Sequence, residues 1–391
     1  MLGASAAGLL AVTGLTAAYL AIPPARAAAA VTTAPAGSIS AYETAATVKA
    51  MRPPKRSRPV VAVVAANDGT ETTDYIVPYA VLSRSGVADV VALATEARPI
   101  KLRPALTVQP QATIADFDKR YPSGADYVVV PALHRRDDPA VVAWIKKQSS
   151  LGATIVGVCS GVKTLSAAGL LTARAATGHW DDVAELRKAN PKMRYVPDRR
   201  YVADRGILTT TGVSASLPVS IALVEAIAGR GRAQAVATEF SLTSWDARHS
   251  SAAFRLDRTA VRTAVGNRIA FWSRESIGIP VGRGVDDVAL AFTADAWSRT
   301  YRSKAYTVTS STAPVVTRAG LTLLPDRTSG ASRSLVMLAP PTLNGDAALR
   351  SALAEISRRF GSPTATFVAL QLEYALPQEV AASAHSREVR R

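Results

Sequence analysis

Four largely apolar runs, the first of them continuous, constrain the fold more than any other feature of the 391-residue chain: "PVVAVVAA" from Pro59, "VADVVALA" from Val87, "ADYVVVPAL" from Ala125 and "ATIVGVC" from Ala153. A strand with one wet face alternates apolar and polar residues. Runs that are apolar on both faces belong inside a parallel sheet covered by helices on either side. Segments with helical spacing separate them, among them "TDYIVPYAVLSRSG" and "DPAVVAWIKKQSSLG", and "SGVKTLSAAGLL" follows the last run as a helix of small residues. "YVADRGILTTTG" then reads as a hairpin and "SLPVSIALVEAIAG" as a closing helix. This alternation predicts an α/β three-layer sandwich with a mostly parallel sheet.

A second signal lies beyond residue 240. Gly69 and Gly284, Ser83-Arg84 and Ser298-Arg299, Leu106-Thr107 and Leu321-Thr322, and Pro110 and Pro325 all match at a constant offset of 215. With small shifts "YVVVPALHRRDDPAVVAWI" mirrors "LVMLAPPTLNGDAALRSAL", and "ATIVGVC" mirrors "ATFVALQ". The expectation is a degenerate, partial second copy of the α/β unit. Gln371 stands in it where Cys159 stands in the first copy, and Ala289 where Asp74 stands.

Composition excludes several functions. The net charge of +16 invites a nucleic-acid reading, but the arginines are scattered and neither a helix-turn-helix nor a zinc spacing occurs. A nucleic-acid partner is therefore not expected. The single cysteine forms no intramolecular disulfide and no cysteine-rich zinc site, and the four histidines are too dispersed for a local metal motif. Neither metal nor cofactor is expected.

Residues 2–24, "LGASAAGLLAVTGLTAAYLAIPP", are uncharged and long enough to span a bilayer. The basic residues that follow predict a membrane anchor with the remaining chain on the cytoplasmic side. The alternative is export after cleavage among the small residues at 25–29. The expected division is 1–24 as a transmembrane or signal segment and 25–58 as an Ala/Pro/basic linker. An α/β domain over 59–235, the partial copy over 236–380 and a charged tail over 381–391 follow. The dense basic run "RPPKRSR" at 52–58 fits a linker or a contact with anionic lipid.

The chemistry concentrates at "ATIVGVCSGVKTLSAAGLL". A strand that runs into Cys159, with Ser160, Gly161 and a helix directly after it, forms a strand-turn-helix elbow. Such a turn lifts the side chain above the carboxyl edge of the sheet, where open α/β sheets bind ligands. The helix N-terminus beneath the sulfur is expected to favour thiolate.

Together with "AGLLTARAATGHW" this elbow resembles that of the DJ-1/PfpI family, in the class I glutamine-amidotransferase-like superfamily. The branch most similar contains isocyanide hydratases and the amidase-like sensor domains of AraC-type regulators. The resemblance covers roughly residues 59 to 230. It implies a flavodoxin-like fold, a homodimer, a small-molecule ligand or substrate, and Cys159 as reactive centre. It also implies His179, twenty residues on, as acid/base or pocket wall, and Asp74 as the carboxyl that approaches the thiol. A protonated Asp74 donating to the sulfur would depress the thiol's pKa. Backbone amides form the implied oxyanion hole: that of Ser160, and that of Ala132 or Leu133, where many relatives carry a Gly-Gly pair. His134 fits a loop position better than the pocket. The protease-like branch has His directly after its cysteine; Ser160 stands here, so proteolysis is not expected. Two functions stay open: a cysteine-dependent hydratase or C–N hydrolase, and a non-catalytic redox or ligand sensor.

Overall fold

The computed structural model describes residues 37–376 except 332 and 333. Its first elements are α1 (Ala41–Ala50), β1 (Val60–Ala65), β2 (Thr70–Glu71), α2 (Thr72–Ser85), β3 (Asp89–Ala94), β4 (Ile100–Arg103) and β5 (Thr107–Gln109). Next come β6 (Ala112–Thr113), α3 (Ile114–Arg120), β7 (Tyr127–Val130), α4 (Pro139–Ser150), β8 (Thr154–Gly157) and α5 (Gly161–Ala167). The first copy closes with β9 (Ala175–Ala176), α6 (Val183–Ala189), β10 (Arg194–Tyr195), β11 (Tyr201–Asp204), β12 (Ile207–Thr210), α7 (Ser216–Ala228) and α8 (Arg230–Glu239).

The main sheet has the order β11-β12-β8-β7-β1-β3-β6, parallel except for the β11–β12 hairpin. Its central strands explain the apolar runs. Val61 and Val63 of β1 face a core shared with Tyr75, Leu82 and Leu223, whereas Val60, Ala62 and Val64 face a second core with Trp144, Ile145 and Leu165. Side chains alternate across a strand, so a strand with a core on each side must be apolar throughout. The fold is the expected α/β, flavodoxin-like sandwich.

Two expectations about the N-terminal region change. Part of the 25–58 linker is structured: α1 is capped by the Ser40 side chain and ends at Met51, which is fully buried. The basic run is also tied into the fold. Buried Asp126 accepts the N–H groups of Lys55 (3.1 Å), Arg56 (2.9 Å) and Val60 (2.9 Å), and pairs with the Arg56 guanidinium at 2.6 Å. Arg58 pairs with Asp89. These cations neutralise the protein's own carboxylates, so a lipid contact is not needed to explain them. The expected membrane anchor and its cytoplasmic topology are withdrawn. Among the described residues no helix is long and apolar enough to cross a membrane, and the segment 2–24 lies outside them.

The second half contains α9 (Arg258–Ile269), β13 (Glu275–Pro280), α10 (Asp287–Ser298), β14 (Ser303–Thr309), β15 (Val315–Val316) and β16 (Thr322–Leu323). It ends with β17 (Arg327–Thr328), β18 (Leu335–Met337), α11 (Gly345–Phe360) and α12 (Ser362–Leu372). Its parallel sheet, β17-β14-β13-β18, repeats the order β6-β3-β1-β7 of the first copy. The offset of 215 carries β1 onto β13 and β6 onto β17. One expected correspondence fails: "ATFVALQ" is not a strand but part of α12, so Gln371 sits on a helix and occupies no elbow. "GSP" before it explains why, since Pro363 in the first turn presets helical φ and "TATFVALQL" then runs apolar without a turn signal.

The two copies face each other across an internal two-fold. β5 and β16 pair antiparallel with Val108 opposite Leu323, its own counterpart at offset 215. Helices α2 and α10 pack side by side along this face. Arg84 pairs with Asp286 (2.6 Å) and Arg299 pairs with Glu71 (2.9 Å). Each pair is the image of the other under the same offset, the reciprocity that defines an isologous contact.

Candidate functional site

The elbow is built by close packing. β8 ends at Gly157, Val158 N–H donates to Val130 O at 3.0 Å, and Cys159 N–H donates to Thr210 Oγ1 at 3.0 Å. Cys159 is then forced to φ +53°, a left-handed conformation that costs a non-glycine residue about 1–2 kcal/mol. Gly161 is what lets the turn lie on the neighbouring strand. A Cβ there would fall 2.1 Å from Val130 O and 2.8 Å from Pro131 O, both backbone atoms.

Asp74 lies in the first turn of α2, fully buried. Its Oδ2 accepts the Ala132 N–H at 3.1 Å and its Oδ1 faces the Ser216 hydroxyl at 3.4 Å. The Asp74 N–H donates to Oε2 of Glu71 (2.6 Å), the residue that caps the helix. Glu71 leads across the two-fold: its Oε1 accepts from Arg299 Nη2 at 2.9 Å, and Arg299 Nε donates to Asp295 Oδ1 at 2.5 Å. Thr73 Oγ1 closes the circuit by donating to Asp295 Oδ2 at 2.9 Å.

Two carboxyl groups thus share one guanidinium with a third, Asp74, beside them, and the electrostatics follow. Burial pushes Asp74 up to about 7, against the pull of the Ala132 N–H and Arg299. Burial, reinforced by Asp295 and Asp74, pushes Glu71 well above the usual carboxylate range. Arg299 is held above its usual value, because Asp295 and Glu71 outweigh the opposing effect of burial.

Cys159 itself overturns the expectation of a thiolate. It is 6% exposed, and burial pushes its thiol well above the ordinary value. The carboxylates of Asp74, Glu71 and Asp182 add to the shift, and Arg299 opposes it. The expected helix effect is outweighed: α5 has only seven residues, and the acids around the sulfur outnumber the single cation.

The other predicted residues divide. Ser160 Oγ lies 4.0 Å from the sulfur and donates to the Asp182 carboxylate, which also pairs with Lys163 at 3.0 Å. The Ala132 amide is not a free oxyanion donor, because the Asp74 carboxylate takes it. Leu133 faces Thr70 in an isolated antiparallel bridge made by Glu71 N–H to Ala132 O and His134 N–H to Gly69 O, which leaves the Leu133 N–H out of the bridge. His134 is an exposed loop residue. His179 is turned toward the half-copy: its Nε2 lies 3.3 Å from Gln371 O, and neighbouring Trp180 Nε1 donates to Leu370 O at 2.9 Å. Just beyond, buried Glu373 accepts the N–H groups of Gly212 (2.7 Å) and Trp180 (3.2 Å) and lies 2.8 Å from His249 Nε2. The end of α12 is thereby fastened to the loops around 180 and 212.

Glu71, Asp182, Asp295 and Arg299 escaped the sequence reading. The repeat held a signal for two of them, because Ser298-Arg299 matches Ser83-Arg84 and Asp286 answers Glu71 at the same offset. Charged residues kept in both copies while the cysteine is not are candidates for the contact between the copies. Among the described residues, no group of three or more His, Cys, Asp or Glu side chains could hold a metal ion.

Fold and elbow together define a flavodoxin-like domain with a cysteine at the carboxyl edge of its sheet. The DJ-1/PfpI family model matches residues 60–226 of the chain. Solved structures similar to it include Drosophila melanogaster DJ-1beta, 20% identical, covering 48% of this chain and 99% of that one with a TM-score of 0.43. Another is a ThiJ/PfpI family protein from Pseudomonas syringae (23%, 46% and 74%, TM-score 0.42). An AraC family transcriptional regulator from Pseudomonas putida is a third (18%, 46% and 98%, TM-score 0.41). No curated protein matches the chain.

Proposed function

We propose that the domain is a cysteine-dependent enzyme acting on a small electrophilic molecule, of hydratase or C–N hydrolase type. The observation that carries this reading is a fully buried carboxyl, Asp74, placed in the electrostatic range of a lone thiol on a strained turn. Burying an acid lowers stability, and Asp74 is held by an amide, a hydroxyl and the Glu71 carboxyl rather than by a direct ion pair. A proton-transfer role suits such a group, since a general base works best with a pKa near the working pH. In a C–N hydrolysis, ionised Asp74 takes the proton from Cys159 Sγ as the sulfur attacks the electrophilic carbon. The Ser160 and Leu133 amides receive the developing oxyanion. The tetrahedral adduct collapses, breaking the C–N bond and returning the Asp74 proton to the leaving nitrogen, and water then cleaves the thioester.

The test is turnover of a panel of amides, nitriles and isocyanides by wild type, Cys159→Ser and Asp74→Asn. Activity that rises with Asp74 ionisation through about pH 7 and is lost in both variants supports the reading. Turnover that persists in Cys159→Ser refutes it.

A sensor is the second reading. Burial of the thiol and the fastening of α12 over the 180 and 212 loops favour it, because a covered thiol suits a ligand- or oxidant-gated response. A wild-type protein inactive on the whole panel, whose α12 detaches when Cys159 is oxidised, points to this reading instead.

A further inference from the structure

The internal two-fold is symmetric in its ion pairs but not in its chemistry. Arg84 of the first copy reaches Asp286 and Glu239, and no cysteine stands at the elbow position of the second copy. Arg299 of the second copy reaches Glu71, whose other oxygen caps the helix turn that bears Asp74. Its guanidinium is four-fifths buried and is also gripped by Asp295, itself fully buried and held by Thr73. Arg299 is therefore a fixed cation whose charge opposes the acids around the thiol, and it comes from a part of the chain outside the matched domain.

We propose that Arg299 is a positioning residue of the thiol site, delivered in cis by the half-copy across the internal two-fold. It fixes the Glu71 carboxyl that orients Asp74, and it offsets the negative field at Cys159. The half-copy lacks the elbow but keeps the arginine. On this account the first copy cannot run its chemistry alone, because the arginine that holds Glu71 lies 228 residues downstream of it. The inference rests on Cys159 being the reactive group of the proposed function and goes beyond it by assigning a role to the half-copy.

The mirror-related Arg84 supplies the control, since Arg84→Met breaks the symmetry-equivalent buried pair on the side without a thiol. The full-length chain is alkylated with iodoacetamide from pH 6 to 10, with Cys159 read by mass spectrometry, in wild type, Arg299→Met, Arg299→Lys and Arg84→Met. Arg299→Met is expected to move the alkylation midpoint upward by about one unit, which is a roughly tenfold fall in rate at any pH below it. Arg299→Lys restores part of the shift, because it keeps the charge and loses the fork. Arg84→Met leaves the profile in place while lowering the melting temperature. If Arg299→Met fails to fold, Arg299→Met/Asp295→Asn removes both members of the pair, and an upward shift smaller than that of the single variant is expected, because a carboxylate leaves with the cation. Profiles for the Arg299 variants that superimpose on wild type overturn this inference alone. A Cys159 that does not react in the folded wild type at any pH overturns the proposed function and this inference with it.

Discussion

Substituting Gly161 by alanine tests the packing that creates the elbow. The added Cβ would sit 2.1 Å from Val130 O and 2.8 Å from Pro131 O, far inside van der Waals contact, and both obstacles are main chain of the β7 end. No rotamer relieves the clash, so the turn must lift away from β7. Lifting it breaks the 3.0 Å bond from Val158 N–H to Val130 O, worth about 1 kcal/mol. Overpacking adds about 1–3 kcal/mol, for a total of roughly 2–4 kcal/mol. In a domain of this size that lowers the melting temperature by roughly 5–10 °C. Gly169→Ala is the contrast: its φ is +73° but nothing lies within 4 Å, so only the left-handed backbone strain of about 1 kcal/mol applies. Differential scanning fluorimetry reads both variants, and the alkylation rate of Cys159 reports whether the elbow moved. Gly161→Ala as stable as wild type, with an unchanged rate, refutes the packing argument.

Other outcomes follow from particular partners. Asp74 is raised to about 7 in the folded chain, so its contribution to stability is full below the ordinary carboxylate range and is lost as pH rises through 7. Melting curves for Asp74→Asn should therefore fall less steeply between pH 4 and 8 than those of wild type, and parallel curves contradict the burial of an ionisable Asp74. Asp126→Ala strands the Lys55, Arg56 and Val60 amides and takes the carboxylate partner from the Arg56 guanidinium, and should cost about 3 kcal/mol in a chemical melt. Glu373→Ala leaves the Gly212 and Trp180 amides and His249 without their acceptor. Hydrogen exchange over α12 should then rise about tenfold or more while the main sheet stays protected.

Much of the scaffold was legible because it rests on local patterns. The runs at Val60, Tyr127 and Thr154 read as two-sided strands, and cores on both faces of β1 supply the physical reason. The repeat was legible through Gly, Ser-Arg and Leu-Thr pairs at one offset, and the strand order bears it out up to α11. It misled at "ATFVALQ", where β-branched and apolar residues suit either element and the preceding Gly361-Ser362-Pro363 decides for a helix. Cys159 was legible as an elbow from its strand-turn-helix setting, whereas Asp74 came only through the family resemblance, because alone it reads as a solvated carboxylate at a helix start. The electrostatics of the site were not legible. The sign of the thiol shift depends on burial and on Glu71, Asp182 and Arg299, which converge only through long-range packing. His179 was expected at the thiol, and its bond to Gln371 O depends on a helix from the other copy.

The rate of Cys159 alkylation against pH, compared between wild type and Asp74→Asn, tests the shared site most directly. A wild-type midpoint above that of a free thiol, falling when the carboxylate is replaced by an amide, is the result expected from burial and like-charge repulsion. A midpoint at or below the free-thiol value that does not respond to Asp74→Asn contradicts it, and with it the pairing of that acid and that sulfur.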